Sequence, residues 1–219
     1  MKCGEKNLRL YAVTDRSWLK DSALETQVEE ALLGGATFVQ LREKELDREA
    51  IRQEALRIRE LCRKYQVPFV IDDEVELALE TDADGVHIGQ SDMALRDARE
   101  QLGPEKIIGV SARTLEEALE AEQNGADYLG VGAVFSTSTK PDAADVSLET
   151  LSSICRAVSI PVVAIGGIKK ENLPELAGTG IAGVAVVSAI FAAPDIRKAA
   201  EELRQLSEAA AAGKAGVTG

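Results

Sequence analysis

Residues Gly34-Gly35-Ala36-Thr37-Phe38-Val39-Gln40-Leu41-Arg42-Glu43-Lys44 decide how the chain is read. The glycine pair breaks what precedes it, and residues 36–39 then run as a strand. Side chains alternate between the faces of a strand. Gln40, Arg42 and Lys44 therefore share one face wherever the extended geometry persists. An amide and two cations converging at a strand end suit an anion. The alternative is a solvated strand end whose charges cluster by chance. Several later strand ends are also polar or glycine-rich.

Working outward, apolar runs alternate with amphipathic stretches along the whole chain. The runs are residues 8–13, 36–39, 67–71, 84–88, 106–110, 126–132, 160–165 and 181–187. Helical spacing covers 22–33, 47–65, 75–80, 93–102, 114–124, 147–158, 170–177 and 189–209. Asp47 is placed to cap the second helix, and Thr114-Leu115-Glu116-Glu117 has the form of a capping box. Most of the apolar runs lack polar alternation, as in a parallel sheet buried on both faces. Eight such units in this length predict an α/β fold, a single (β/α)8 TIM barrel. An open doubly wound sheet is the runner-up, but no G-x-G-x-x-G follows the first run. The expected division is one catalytic barrel domain, residues 1–209, and a fraying Ala/Gly-rich tail, 210–219.

Composition narrows the function classes. A net charge of −12 over 219 residues argues against nucleic-acid or anionic-membrane binding, which needs a basic face. An acidic chain that binds an anion must gather its cations locally, and Arg42 and Lys44 are candidates. Cys3, Cys62 and Cys155 are scattered, odd in number and without metal-ligand spacing, and read as free thiols in a reducing cytosol. No apolar run approaches the ~18–20 residues of a membrane helix, and the first residues lack a signal-peptide pattern. A cytoplasmic location is expected; homo-oligomerisation is left open.

In a barrel, chemistry sits at the carboxyl ends of the strands. Asp73 and Asp92 end neighbouring strands, where two carboxylates suit Mg²⁺, or else each caps the helix that follows. Gly166-Gly167 and Ser188 precede the last two helices and suit phosphate, or form plain turns. Thr137-Ser138-Thr139-Lys140 lies on a connection of roughly fourteen residues, long against the usual ~2–6, as a phosphate-binding lid or a solvated loop. Together these describe two anion sites, one for a monophosphate and one for a more highly charged group. A diphosphate leaving group and a phosphorylated nucleophile fit that layout. The lone histidine, His87, reads as structural rather than as a base, and Trp18 and Tyr11 read as packing.

The ordered set Gln40-Leu-Arg-Glu-Lys44, Asp72-Asp73, His87-Ile-Gly-Gln-Ser-Asp92, Gly109-Val-Ser111-Ala, Thr137-Ser-Thr-Lys140, Ile165-Gly-Gly-Ile168 and Val187-Ser188-Ala closely resembles the thiamine phosphate synthase family. The likeness runs from about Tyr11 to the last helix. It implies a transferase that joins 4-amino-5-hydroxymethyl-2-methylpyrimidine diphosphate to a thiazole phosphate, releasing diphosphate. It implies Mg²⁺ at Asp73 and Asp92, with Arg42, Lys44 and Lys140 around the diphosphate. Gln40 and Ser111 would address the pyrimidine, and Thr137 and Thr139 the thiazole. Gly167, Val187 and Ser188 would hold the thiazole phosphate. Lys140, Ser111 and Arg42 are the implied catalytic set. The family commonly has Asn before the metal-binding Asp; this chain has Asp72, and cation or metal compensation is the expected answer. A tautomerase sister family on the same barrel, or a non-catalytic thiamine-phosphate binding module, are the alternatives. Neither accounts for a combined metal and diphosphate constellation.

Overall fold

A computed structural model describes residues 3–19, 22–90, 92–136 and 146–213. Eight parallel strands close on themselves in sequence order: β1 (Leu10–Val13), β2 (Phe38–Leu41), β3 (Phe69–Asp72), β4 (Gly85–Ile88), β5 (Ile107–Ala112), β6 (Tyr128–Val131), β7 (Val162–Ile165) and β8 (Gly183–Val186). Closure is made by β8 against β1, with Leu10 opposite Val184 and Ala12 opposite Val186. The α/β barrel expected from the alternation is the fold of the chain.

Eight α-helices lie outside: α1 (Leu24–Leu33), α2 (Arg48–Tyr65), α3 (Val75–Glu80), α4 (Leu95–Leu102), α5 (Leu115–Gln123), α6 (Leu148–Ala157), α7 (Ser188–Phe191) and α8 (Ile196–Ala212). Asp47, Thr114 and Ser147 cap α2, α5 and α6 through their side chains, and Thr114 with Glu117 forms the capping box. Outward-facing residues such as Leu10, Val39, Ile71 and Ile88 pack against the helices, in a core with Ile58, Leu151 and Leu203. Inward-facing residues form a second, smaller core inside the barrel: Tyr11, Phe38, Val70, Ile107, Tyr128, Val163 and Ala185.

Two helix expectations differ from the structure. The stretch at 170–177 is only a 3₁₀ turn, Leu173–Leu176, with Pro174 near its start. Pro174 has no N–H to donate. Asn172 takes the Lys169 N–H on its side-chain oxygen and donates to Gly167 O, so local bonds replace helical ones. The final helix is two helices, because Pro194 separates α7 from α8 and Asp195 begins a new N-cap by accepting from Lys198 N. Helix α8 also runs three residues past 209, with Ala210 and Ala211 buried. Residues 214–219, most of the expected tail, lie outside the described residues.

At the amino ends of the strands, away from the mouth, Arg99 ties two connections together. Its guanidinium donates to Gly103 O, Lys106 O, Gly125 O and the Asp127 carboxylate, which also accepts from Ile108 N. Arg99→Ala is expected to cost about 2–3 kcal/mol, since hydrogen bonds to charged groups are worth ~1.5–3 kcal/mol each and water replaces some of them. Urea denaturation checks the loss. Turnover per folded molecule is expected to stay within about twofold, because this end of a barrel serves stability.

Candidate active site

The carboxyl ends of the strands surround one cavity. Tyr11, Gln40, Arg42, Asp72, His87, Ser111, Arg113, Gly166, Gly167, Val187 and Ser188 are among the residues lining it. Alternation along each strand explains the selection: Gln40, Asp72, His87 and Ser111 all follow inward-facing positions by an even step. Ser111 lies within β5 rather than after it, because that strand continues to Ala112.

The floor is aromatic. Tyr11, Phe38 and Tyr128 meet edge to face, with centroids 4.6, 5.5 and 5.9 Å apart. Polar tips emerge from it. Gln40 Nε2 donates to Tyr11 Oη at 2.6 Å, and the Tyr11 and Tyr128 hydroxyls lie 2.9 Å apart. His87 Nδ1 lies 3.0 Å from Tyr128 Oη, and its Nε2 lies 2.9 Å from Ser111 Oγ. Burial holds both phenols well above the ordinary tyrosine range, so both keep a hydrogen to donate. Tyr11 therefore packs and also bonds, whereas Trp18 packs against the outer core. The spacing signal could not place Tyr128 here, because a tyrosine in an apolar run reads as core.

One wall is charged: Arg42 and Asp72 line the cavity there, Lys44 and Asp73 stand outside its lining, and Asp92 lines a neighbouring depression with Gly89 and Gln90. Lys44 Nζ is 2.8 Å from Asp73 Oδ2 and 3.3 Å from Asp72 Oδ2. Arg42 reaches Asp72 at 3.8 Å and Asp15 at 3.7 Å. Partial burial works against the Lys44 charge, but the Asp73 and Asp72 carboxylates outweigh it and hold the amine above its usual range. Asp72 thus faces two cations. Asp92 accepts from Gly89 N at 2.6 Å. Burial, and then the Asp73 carboxyl beside it, push Asp92 above the ordinary carboxylate range against that bond. Neither acid caps a helix: the N-caps of α3 and α4 are Glu74 and Ala94. Asp73 takes a left-handed backbone, φ 61°, which turns it out of the line of β3. Among the described residues, no group of three or more His, Cys, Asp or Glu is placed to hold a metal. Two adjacent carboxylates fit a hard cation that completes its shell with water and phosphate oxygens.

Glu43, flanked by the two cations of the opening motif, turns away from the cavity. Its Oε1 accepts from Lys44 N and Glu45 N, and its Oε2 takes Arg16 Nε at 2.5 Å. Arg16 also reaches both oxygens of Glu54 on α2 at 2.8 Å. Burial works against the Glu43 charge, yet the Glu45 N–H and Arg16 offset it and hold the carboxyl below its usual range. Burial leaves Glu54 raised despite Arg16. This strut fixes the turn that carries Arg42 and Lys44.

Opposite the charged wall, Gly166-Gly167 follows β7, and Val187-Ser188 leads into α7. Gly167 has φ 63°, and a Cβ there would come within 2.5 Å of the carbonyl oxygens of Phe135 and Ser136. Only glycine fits this turn. Thr137, Thr139 and Lys140 lie outside the described residues.

A family model described as thiamine monophosphate synthase matches residues 10–190. The chain belongs to that family. The thiamine-phosphate synthase of Clostridium acetobutylicum is 53% identical over 189 residues, 86% of this chain and 90% of the relative. That of Ruminiclostridium cellulolyticum is 51% identical over 197 residues, covering 90% and 94%. A solved structure, thiamine phosphate pyrophosphorylase from Pyrococcus furiosus, superposes with a TM-score of 0.86 at 47% identity, covering 93% of this chain and 97% of that one. The activity that goes with this membership is thiamine-phosphate synthase, a transferase of thiamine biosynthesis. The match spans both walls of the cavity.

Arg16→Ala is expected to destabilise the protein by about 2 kcal/mol, less than the ~3–5 kcal/mol of a fully buried pair, because the Arg16 side chain is 25% exposed. It is also expected to lower kcat/KM about tenfold, since Arg42, which lines the cavity, and Lys44 lose their fixed turn. Denaturation and steady-state kinetics read the two effects separately.

Proposed function

We propose that the charged wall receives the pyrimidine diphosphate and the Gly167–Ser188 wall receives the thiazole phosphate, so that thiamine phosphate and diphosphate form between them. The observation that carries this reading is that Arg42 and Asp72, the latter joined to Asp73 through Lys44, line one cavity with a glycine turn and a helix start. In a chain of net charge −12, such cations are held for an anion.

Gln40 and Ser111, at two sides of the aromatic floor, orient the pyrimidine. Arg42, Lys44 and Lys140 surround the diphosphate and stabilise the charge that grows on it as the carbon–oxygen bond breaks. The ring amino group feeds electrons toward the exocyclic carbon, and the thiazole nitrogen captures the resulting cation-like carbon. The resemblance assigns Thr137 and Thr139, outside the described residues, to the thiazole; the reaction requires that water be kept from that carbon. Asp73 and Asp92 would hold Mg²⁺, which would supply charge neutralisation at the diphosphate. Asp72 is compensated by Lys44 and Arg42, so its negative charge need not face the substrate alone. The free cysteines and the absence, among described residues, of any helix long and apolar enough to span a membrane support a cytoplasmic setting.

Diphosphate release with both substrates, with and without Mg²⁺, tests the reading; full activity in excess chelator overturns the metal assignment. A second readout needs no turnover. Asp92 is held above its unfolded-state pKa, so without metal its contribution favours the folded state at low pH and is lost as pH rises through the folded value. At pH 8 the metal-free Asp92→Asn variant is therefore expected to melt higher than the parent, and to lose the Mg²⁺-induced rise in Tm. For Lys140→Ala, a fall in kcat of about 10²-fold with little change in KM is expected, because its charge acts mainly on the transition state. A large rise in KM at unchanged kcat makes Lys140 a docking residue.

A further inference from the structure

The polar tips of the floor form one chain across the barrel: Gln40, Tyr11, Tyr128, His87, Ser111. Its ends line the cavity, and its middle joint, Tyr128, is fully buried beneath it. The barrel makes room for that joint. A Cβ on Gly109 would come within 2.0 Å of the Tyr128 ring, and one on Gly130 within 3.1 Å of the His87 ring.

Proton counting leaves the chain two directions. Each hydroxyl has one hydrogen, and a neutral imidazole has one N–H and one lone pair. The Gln40 amide nitrogen donates to Tyr11. In one direction Tyr11 passes its hydrogen to Tyr128 rather than to the cavity, and the Tyr128 hydrogen goes to His87 Nδ1. The imidazole hydrogen is left on Nε2 and is donated to Ser111 Oγ. The Ser111 hydrogen remains for the cavity. Run the other way, the same chain takes the Ser111 hydrogen for His87 Nε2 and leaves Ser111 able only to accept.

We infer that the Tyr11–Tyr128–His87 relay fixes the His87 tautomer and so keeps Ser111 as a hydrogen-bond donor toward an unprotonated ring nitrogen of the pyrimidine. Tyr128 is then a positioning residue that sets specificity without touching the substrate. The relay favours a 4-aminopyrimidine, whose ring nitrogens accept, over its 4-oxo analogue, which carries a ring N–H. This rests on the assignment of Gln40 and Ser111 to the pyrimidine.

His87 is the only histidine in the chain, so its ¹⁵N resonances need no assignment. The parent protein is expected to show a single tautomer with hydrogen on Nε2. Gln40→Glu, recorded where the introduced carboxyl is ionised by its own ¹³C shift, can only accept from Tyr11. It is expected to reverse the chain and place a hydrogen on His87 Nδ1, three hydrogen bonds away. Adding Tyr128→Phe or Tyr11→Phe to Gln40→Glu is expected to abolish that response. Inhibition by the 4-amino and 4-oxo pyrimidine monophosphates, which lack the diphosphate leaving group, gives the second readout. In Tyr128→Phe the ratio of their inhibition constants is expected to shrink about tenfold, the cost of about one unmade buried hydrogen bond. A parent tautomer on Nδ1, a His87 unresponsive to Gln40→Glu, or an unchanged inhibitor ratio overturns the inference. Turnover of the parent with both natural substrates reports the synthase reading independently of all three.

Discussion

Closure of the sheet is the constraint on which everything else depends. Once β8 pairs with β1, no strand has a free edge, and each inward-facing side chain shares one narrow interior with those of the other strands. The lower part is filled by the Tyr11, Phe38 and Tyr128 rings and aliphatic neighbours. Polar residues are then admitted only where the next inward step reaches the mouth, at Gln40, Asp72, His87 and Ser111. Even there each has a partner: the buried Gln40 and His87 hydrogen-bond to phenols, and Asp72 is ion-paired with Lys44 and Arg42. The cavity is thus the upper surface of a filled core.

The charged wall shows how an acidic protein holds cations in place at the mouth of a cavity. Lys44 and Arg42 lie against carboxylates that limit their rotamers, and a separate carboxylate, Glu43, anchors the backbone between them. On the proposed reading, an incoming diphosphate competes with carboxylates already in place, so the wall is organised before that anion arrives. Such preorganisation lowers the reorganisation needed at the moment of reaction.

Much of this was legible in the sequence, for reasons that can be named. Parallel strands covered on both faces must be continuously apolar, so eight such runs indicated the barrel. Period-two alternation placed Gln40 and Arg42 on one face because a strand has no other option. The rest was not legible where a local rule met a tertiary partner. Residues 170–177 have helical spacing, but Pro174 and the Asn172 side chain turn them into a short 3₁₀ segment. The alanine-rich pattern at 189–209 reads as one helix, yet Pro194 splits it. Tyr128 and His87 look like core residues one at a time; only the register that sets Gly109 opposite both makes them neighbours.

The strut of Arg16, Glu43 and Glu54 has a consequence for anyone who transplants parts between barrels. The turn after β2 looks like a self-contained module, five residues with their own charges. Its shape, however, is held by a residue from the turn after β1 and another from the second turn of α2. A graft of the five alone would bring Glu43 without its guanidinium and strand a carboxylate in a poorly solvated place. The smallest portable unit of this wall is therefore the stretch from Arg16 to Glu54, two complete strand–helix connections. Recombination between relatives should break most cleanly outside it.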